Sequence, residues 1–255
     1  MNILAIETTG ANASVAIVNE KNHISEEISD RKLSHLQSLM PMVDNLLEKC
    51  QLSIADITHI AISEGPGSFT GIRIGMAAGK ALAQALNLPV ISVPTLGSFC
   101  FNVTDFKGLI CPLFDARRKQ VYGGAYYRDG NSCAQAIADD AWDLGDFLYK
   151  VQEYSKEKSM ELLFFGDGAE VYKEAIRQWA LSQNRLLPND DMSRIMANAG
   201  QSRQRAASIA AAALKKALEG DTISCDRIKP VYLRKAEAER KLQQGQTGQI
   251  KGDNG

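Results

Sequence analysis

The sequence holds no pair of histidines or cysteines at metal-binding spacing. Its three histidines, His23, His35 and His59, never stand three or four residues apart, so no helix can present two imidazoles to zinc. The five cysteines, Cys50, Cys100, Cys111, Cys133 and Cys225, include no Cys-x-x-Cys pair and read as reduced thiols of a cytosolic protein. No apolar run approaches the roughly 18 residues of a membrane span. Charge of one sign is not in excess: the formal net charge is −1, which gives no global field to attract nucleic acid. No Gly-x-Ser-x-Gly singles out a nucleophilic serine. The start, Met1 to Glu7, meets a carboxylate with no basic stretch before it, which argues against a signal peptide. These absences predict a soluble cytoplasmic protein with no membrane contact, no metal and no cofactor.

What is present is ordinary globular material, 45% hydrophobic and 23% charged over 255 residues, enough for one large domain or two small ones. The chain is organised around Ser63 to Gly75, a glycine-rich turn between a buried-looking strand (57–63) and a long apolar helix (71–86). Strand, glycine turn and helix is a layout that aims backbone N–H groups at an anion. A phosphate loop fails on spacing, because only three residues separate Gly75 from Gly79-Lys80, and Ala81 follows. The dinucleotide fingerprint fails too, with no glycine three residues after Gly67. Gly67, Gly71, Gly75 and Gly79 recur every four residues and share one helical face. Each interior glycine costs a helix about 1 kcal/mol relative to alanine, so the row marks a backbone that comes close to something. With Arg73, Lys80 and Gln84 on one narrow polar face, the remaining surface can pack on a sheet and also on a neighbouring helix or a partner protein.

Strands are expected over 3–7, 13–19 and 23–29, then a helix over 33–50 in which Pro41 kinks the run or marks its first turn. Thr8 to Asn12 is turn chemistry. With Glu7, the residues Thr8, Thr9 and Gly10 form a candidate anion site, against the plain reading of a hairpin. The strand over 89–93 completes an α/β lobe spanning 1–104. A second lobe, 105–198, is expected to hold strands over 109–115, 120–127 and 162–165 and helices over 143–158 and 170–181. An alanine-rich helix over 204–218 and an extended segment over 230–234 return to the first lobe. From Lys235 to 255 the chain reads as a mobile polar tail. Asp115 ends a strand before the basic turn Arg117-Arg118-Lys119, whose three charges are weak evidence for a phosphate backbone.

Five blocks, Ile3 to Thr9, Ser34 to Pro41, Gly65 to Gly75, Phe114 to Arg118 and Pro230 to Arg234, stand in order and closely resemble the bacterial TsaB (YeaZ) family of tRNA threonylcarbamoyladenosine biosynthesis proteins. The resemblance spans about residues 1–234. It implies a two-lobed α/β fold with mixed sheets, of the actin, Hsp70 and sugar-kinase (RNase H-like) type, whose first hairpin is the phosphate-binding turn. The catalytic relative TsaD carries a His-His-Met-Glu-Gly-His block after the strand that follows the glycine helix. Thr95 and Phe99 stand here where the two metal-binding histidines would be, and neither side chain replaces an imidazole. The resemblance thus implies a non-catalytic relative that pairs with a TsaD-type transferase and a TsaE-type ATPase. The transfer of threonylcarbamoyl goes to the adenosine next to the anticodon, in tRNAs reading codons that begin with adenine. It also implies a homodimer when the partner is absent, and tRNA contact mainly through the complex. Carried onto this sequence, the interface residues are His35, Leu36, Leu39, Val43, Arg73, Gly75, Met76, Ala77 and Lys80. Two alternatives stay open: an independent phosphotransferase or metallopeptidase of the same fold, and a direct tRNA-binding module using Arg117, Arg118, Lys119 and the tail.

Overall fold

The computed structural model describes residues 1–29, 35–103, 105–129 and 132–234. The first part of the chain runs β1 (Asn2–Glu7), β2 (Ser14–Asn19), β3 (Ile24–Ile28), α1 (His35–Lys49), β4 (His59–Gly65), α2 (Phe69–Leu86), β5 (Val90–Pro94) and α3 (Thr95–Ser98). The second runs β6 (Leu109–Asp115), β7 (Gln120–Asp129), β8 (Ser132–Asp143), α4 (Leu144–Lys158), β9 (Leu162–Phe165), α5 (Asp167–Val171), α6 (Lys173–Ser182) and α7 (Ala206–Leu218). Leu33 and the tail 235–255 lie outside the described residues.

The first sheet has the order β3-β2-β1-β4-β5, with β1 antiparallel to β2 and parallel to β4. β1 and β4 are continuously apolar because helices cover both faces of the sheet. On one face, α1 and α2 bury Leu39, Val43 and Met76 against Ile6, Ile60 and Ile62. On the other, α7 lays Ala206, Ile209, Ala210 and Ala213 on Ile3, Ala5, Ala16 and Val93. The start of α7 is tied to β2 and β3. Glu26 accepts from the Arg205 guanidinium and the Ala207 amide, and Ser14 Oγ accepts from the Ala206 amide at 2.9 Å.

The second sheet has the order β8-β7-β6-β9. It repeats the first four positions of the first sheet: three antiparallel strands, a helix, and a fourth strand parallel to the first. A parallel bridge from Phe164 to Met196 lies where β5 lies in the first sheet. This is the two-lobed, RNase H-like α/β arrangement that the resemblance implies. A shared aromatic core joins the lobes, with Phe99 packed on Phe114 and Phe165 at centroid distances of 5.7 and 5.8 Å.

Three sequence expectations are corrected. The strand β8 was not read from the sequence, the helix expected over 170–181 is split at Tyr172 into α5 and α6, and the five cysteines are not all free. Pro41 lies inside α1. Cys100 and Cys133, 33 residues apart in sequence, are joined in a disulfide, while Cys50, Cys111 and Cys225 are thiols.

Candidate functional site

β1 ends on Glu7, which is fully buried. Its Oε1 accepts from the Thr9 amide at 2.5 Å and from Thr9 Oγ1 at 2.6 Å, and the Gly10 amide and Ser63 hydroxyl face the same carboxylate. The donors of the turn thus close on the chain's own Glu7 side chain. Burial raises the Glu7 pKa, and the bonds from Thr9, Ser63 and Gly10 oppose that shift. Oε2 has no partner among the described residues. Thr8 turns the other way, and its Oγ1 donates to the Gly71 carbonyl at 2.7 Å.

That bond shows what the glycine row approaches. A Cβ on Gly71 would lie 1.9 Å from the Thr8 carbonyl oxygen, one on Gly75 2.3 Å from Thr8 Oγ1, and one on Gly79 2.4 Å from Ile62. The row faces the chain's own first sheet and not a partner. Gly75 therefore does not lie on an interface surface. Nor do Leu39, Val43 and Met76, which are buried in the lobe's core. Arg73 and Ala77 are exposed and Lys80 is half-buried. His35 opens α1, and its side chain lies outside the described residues. Leu36 is 77% exposed, Met40 one helical turn on is 38% exposed, and Phe69 at the start of α2 is 37% exposed. Sequence reasoning missed Met40 and Phe69, although the four-residue step from Leu36 to Met40 was there to be read. The α2 row opposite the glycines, Arg73-Ala77-Ala81-Ala85, faces outward as well.

Thr95 and Phe99 sit where β5 gives way to α3, and both are fully buried. Thr95 Oγ1 accepts from the Gly65 amide at 3.1 Å, so this position braces the glycine turn. Among the described residues, no group of three His, Cys, Asp or Glu side chains could hold a metal ion. Beside Gly65 and Pro94 a cleft of about 440 Å³ opens between the lobes. Glu64, which accepts from Ser92 Oγ, and Asp139, which accepts from Tyr126 Oη and Gln135, both line it. Burial pushes the Asp139 carboxyl up to about 6, with the Glu64 charge adding to the shift and the bonds from Tyr126 and Gln135 opposing it.

The segment after Ile228 is a strap across both lobes. The Val231 amide donates to the Glu64 carbonyl at 2.7 Å, and the Tyr232 ring packs on Phe69 at 4.9 Å. Arg73 stacks on Phe69 at 3.9 Å and donates through Nε to Tyr232 Oη at 3.1 Å. Arg234 crosses to the second lobe, where Nη1 donates to the Ala116 carbonyl at 2.9 Å. Gly65 lets the strap lie this close: its φ is +110°, and a Cβ there would meet the Val231 carbonyl oxygen at 2.5 Å.

The chain as a whole is similar to known proteins. A family model described as TsaD, tRNA N6-adenosine threonylcarbamoyltransferase, matches residues 24–242. The tRNA threonylcarbamoyladenosine biosynthesis protein TsaB of Bacillus subtilis is 38% identical over 69% of this chain and 75% of its own length. That of Escherichia coli is 30% identical over 95% of this chain and 98% of its own. The chain belongs to the TsaB family. YeaZ from Pseudomonas aeruginosa superposes with a TM-score of 0.67 at 21% identity, covering 91% of this chain and 99% of that one, and so shares the fold. Membership of the TsaB family assigns the chain to tRNA threonylcarbamoyladenosine biosynthesis. Among the described residues, no helix is long and apolar enough to cross a membrane.

Proposed function

We propose that this chain is a non-catalytic, cytoplasmic subunit that binds and activates a TsaD-type transferase. A TsaE-type ATPase acts with them, and the acceptor is the adenosine beside the anticodon in tRNAs reading codons that begin with adenine. One observation carries the reading: among the described residues, two adjacent helices of the first lobe turn unpartnered apolar surface outward, Leu36 and Met40 on α1 and the alanine row of α2. Buried residues such as Leu39 and Met76 hold that surface in shape without touching the partner. Where a transferase is absent, a second copy of the chain covers the same helices. The buried Thr95 and Phe99 support the non-catalytic part, since neither offers a ligand to a metal.

The test is a mixing experiment with tRNA and threonylcarbamoyl-adenylate, scoring modified adenosines. Its arms are this chain alone, the transferase with the ATPase, all three, and all three with Leu36→Asp. Modification only with all three, lost with folded Leu36→Asp, is the expected result. Modification without this chain would remove the reading.

A second reading, an independent phosphotransferase or peptidase, is favoured by one feature only, the cleft carboxyls Glu64 and Asp139. ATP turnover or peptide cleavage by the chain alone, abolished in Asp139→Asn, would establish it.

A further inference from the structure

Arg117, Arg118 and Lys119, between β6 and β7, have φ values of 63°, 57° and 62°. Left-handed backbone costs an L-residue roughly 1–2 kcal/mol, and non-glycine residues visit it singly. Three in succession persist only where surrounding bonds over-determine them. Those bonds are present. The Ala116 amide donates to the Gln120 carbonyl at 3.0 Å, the Gln120 amide to the Arg117 carbonyl at 3.1 Å, and the Leu144 amide to the Lys119 carbonyl at 3.2 Å. The Arg117 amide donates to Asp115 Oδ1 at 2.8 Å, and Tyr172 Oη donates to the same atom at 3.1 Å.

The rigid turn holds three exposed cations outward. The nearby carboxylates accept from the backbone and keep their charge, so they offset part of the field of the cations. Asp115 takes the Arg117 amide, Asp167 takes the Asp115 amide, and Asp143 takes the Gly145 amide. A fourth cation stands directly behind. Arg234 is anchored through Nη1 on the Ala116 carbonyl, and its Nη2 is enclosed without a partner among the described residues. Its guanidinium also lies over the Tyr122 ring at 5.9 Å and carries its positive charge under the turn.

We propose that the turn Arg117-Arg118-Lys119, backed by Arg234, is a direct contact for the phosphodiester backbone of RNA. A turn whose backbone is already held loses less backbone freedom on meeting phosphates than a mobile one does. The proposal does not rest on the partner reading, because it is tested on the full chain alone.

The experiment is fluorescence anisotropy of a labelled, unmodified tRNA transcript titrated with the chain at several KCl concentrations. Three phosphate contacts give a slope of log K against log salt of about −2.1 to −2.7, a loss of about 20- to 40-fold in affinity between about 50 and 200 mM. Arg118→Gln lowers the slope magnitude by about 0.7 to 0.9, and replacing all three cations with glutamine leaves it near zero. Thermal melts check that both variants fold, and the single variant carries the test if the triple one does not. Equal affinity and slope in wild type and variants would overturn the proposal, as would no binding by the wild type. Displacement of the RNA by millimolar ATP or inorganic phosphate at constant ionic strength would point to a mononucleotide pocket instead. Unchanged RNA binding with lost co-purification of the transferase would assign the turn to an acidic protein face. Either result overturns the proposal.

Discussion

Gly71 and Gly75 let α2 settle directly on Thr8. Gly71→Ala sets a Cβ 1.9 Å from a backbone oxygen that cannot move alone, and we expect it to cost about 3 kcal/mol or more. Gly75→Ala meets a hydroxyl instead, and should cost about 1–3 kcal/mol. Because the clash is with Thr8 Oγ1, the cost of Gly75→Ala should shrink in a Thr8→Ala background, and urea melts of the four proteins give the coupling. Additive costs would show that the hydroxyl is not what meets the new methyl. Glu7 allows a test by pH. Its folded pKa lies above the ordinary 4.5, so its contribution to stability is fully present below that value and is lost as pH rises toward the folded pKa. Glu7→Gln removes this dependence. Relative to wild type, the variant should gain stability as pH rises above 4.5 by chemical denaturation, and a relative loss on that rise would show the carboxylate to be favoured in the fold. At Arg118, glycine relieves the left-handed backbone. Arg118→Gly should stabilise the chain by about 0.5–1 kcal/mol while weakening RNA binding.

At the scale of the element, α1 separates two kinds of leucine. Leu39 is 2% exposed and Leu36 is 77% exposed, three residues earlier. Leu39→Ala should cost about 2–5 kcal/mol. Leu36→Asp should stay within about 0.5 kcal/mol of wild type and yet lose the transferase in a pull-down. Retained binding by Leu36→Asp would move the interface off α1. The helical period of α1 and α2 was legible, and so were the uninterrupted apolar runs of β6 and β9, whose ends fell where the sequence put them. The glycine row announced a close approach, but periodicity alone does not say to what: Gly71 and Gly75 meet Thr8, in the turn after β1 and more than sixty residues earlier, and Gly79 meets Ile62 of β4. β8 was not legible. It pairs only with β7 at the sheet edge, keeps no regular alternation, and carries Asp139-Asp140, so neither period nor composition marked it. The polar turn after β1 was legible; that its donors close on the buried Glu7 side chain needed the turn's geometry. The Cys100–Cys133 pair has no local signal at all.

Across the whole molecule, two lobes of like topology depend on one cluster between them. Phe99 leaves the first lobe and is fully buried against Phe114 and Phe165 of the second. Removing its ring costs both lobes at once, about 3–5 kcal/mol. The strap from Val231 to Arg234 crosses the same boundary on the surface, with far less buried area. Both tryptophans, Trp142 and Trp179, belong to the second lobe, so their fluorescence follows that lobe while far-ultraviolet dichroism follows both. In the wild type the two probes should report one unfolding transition, as a cooperative unit requires. Phe99→Ala should lower stability and split the transitions. A chain ending at Lys229 should keep them together, with a smaller loss of stability, because the aromatic core survives. Split transitions in the shortened chain and a single one in Phe99→Ala would reverse that order, and would make the strap, not the buried rings, the element that joins the lobes.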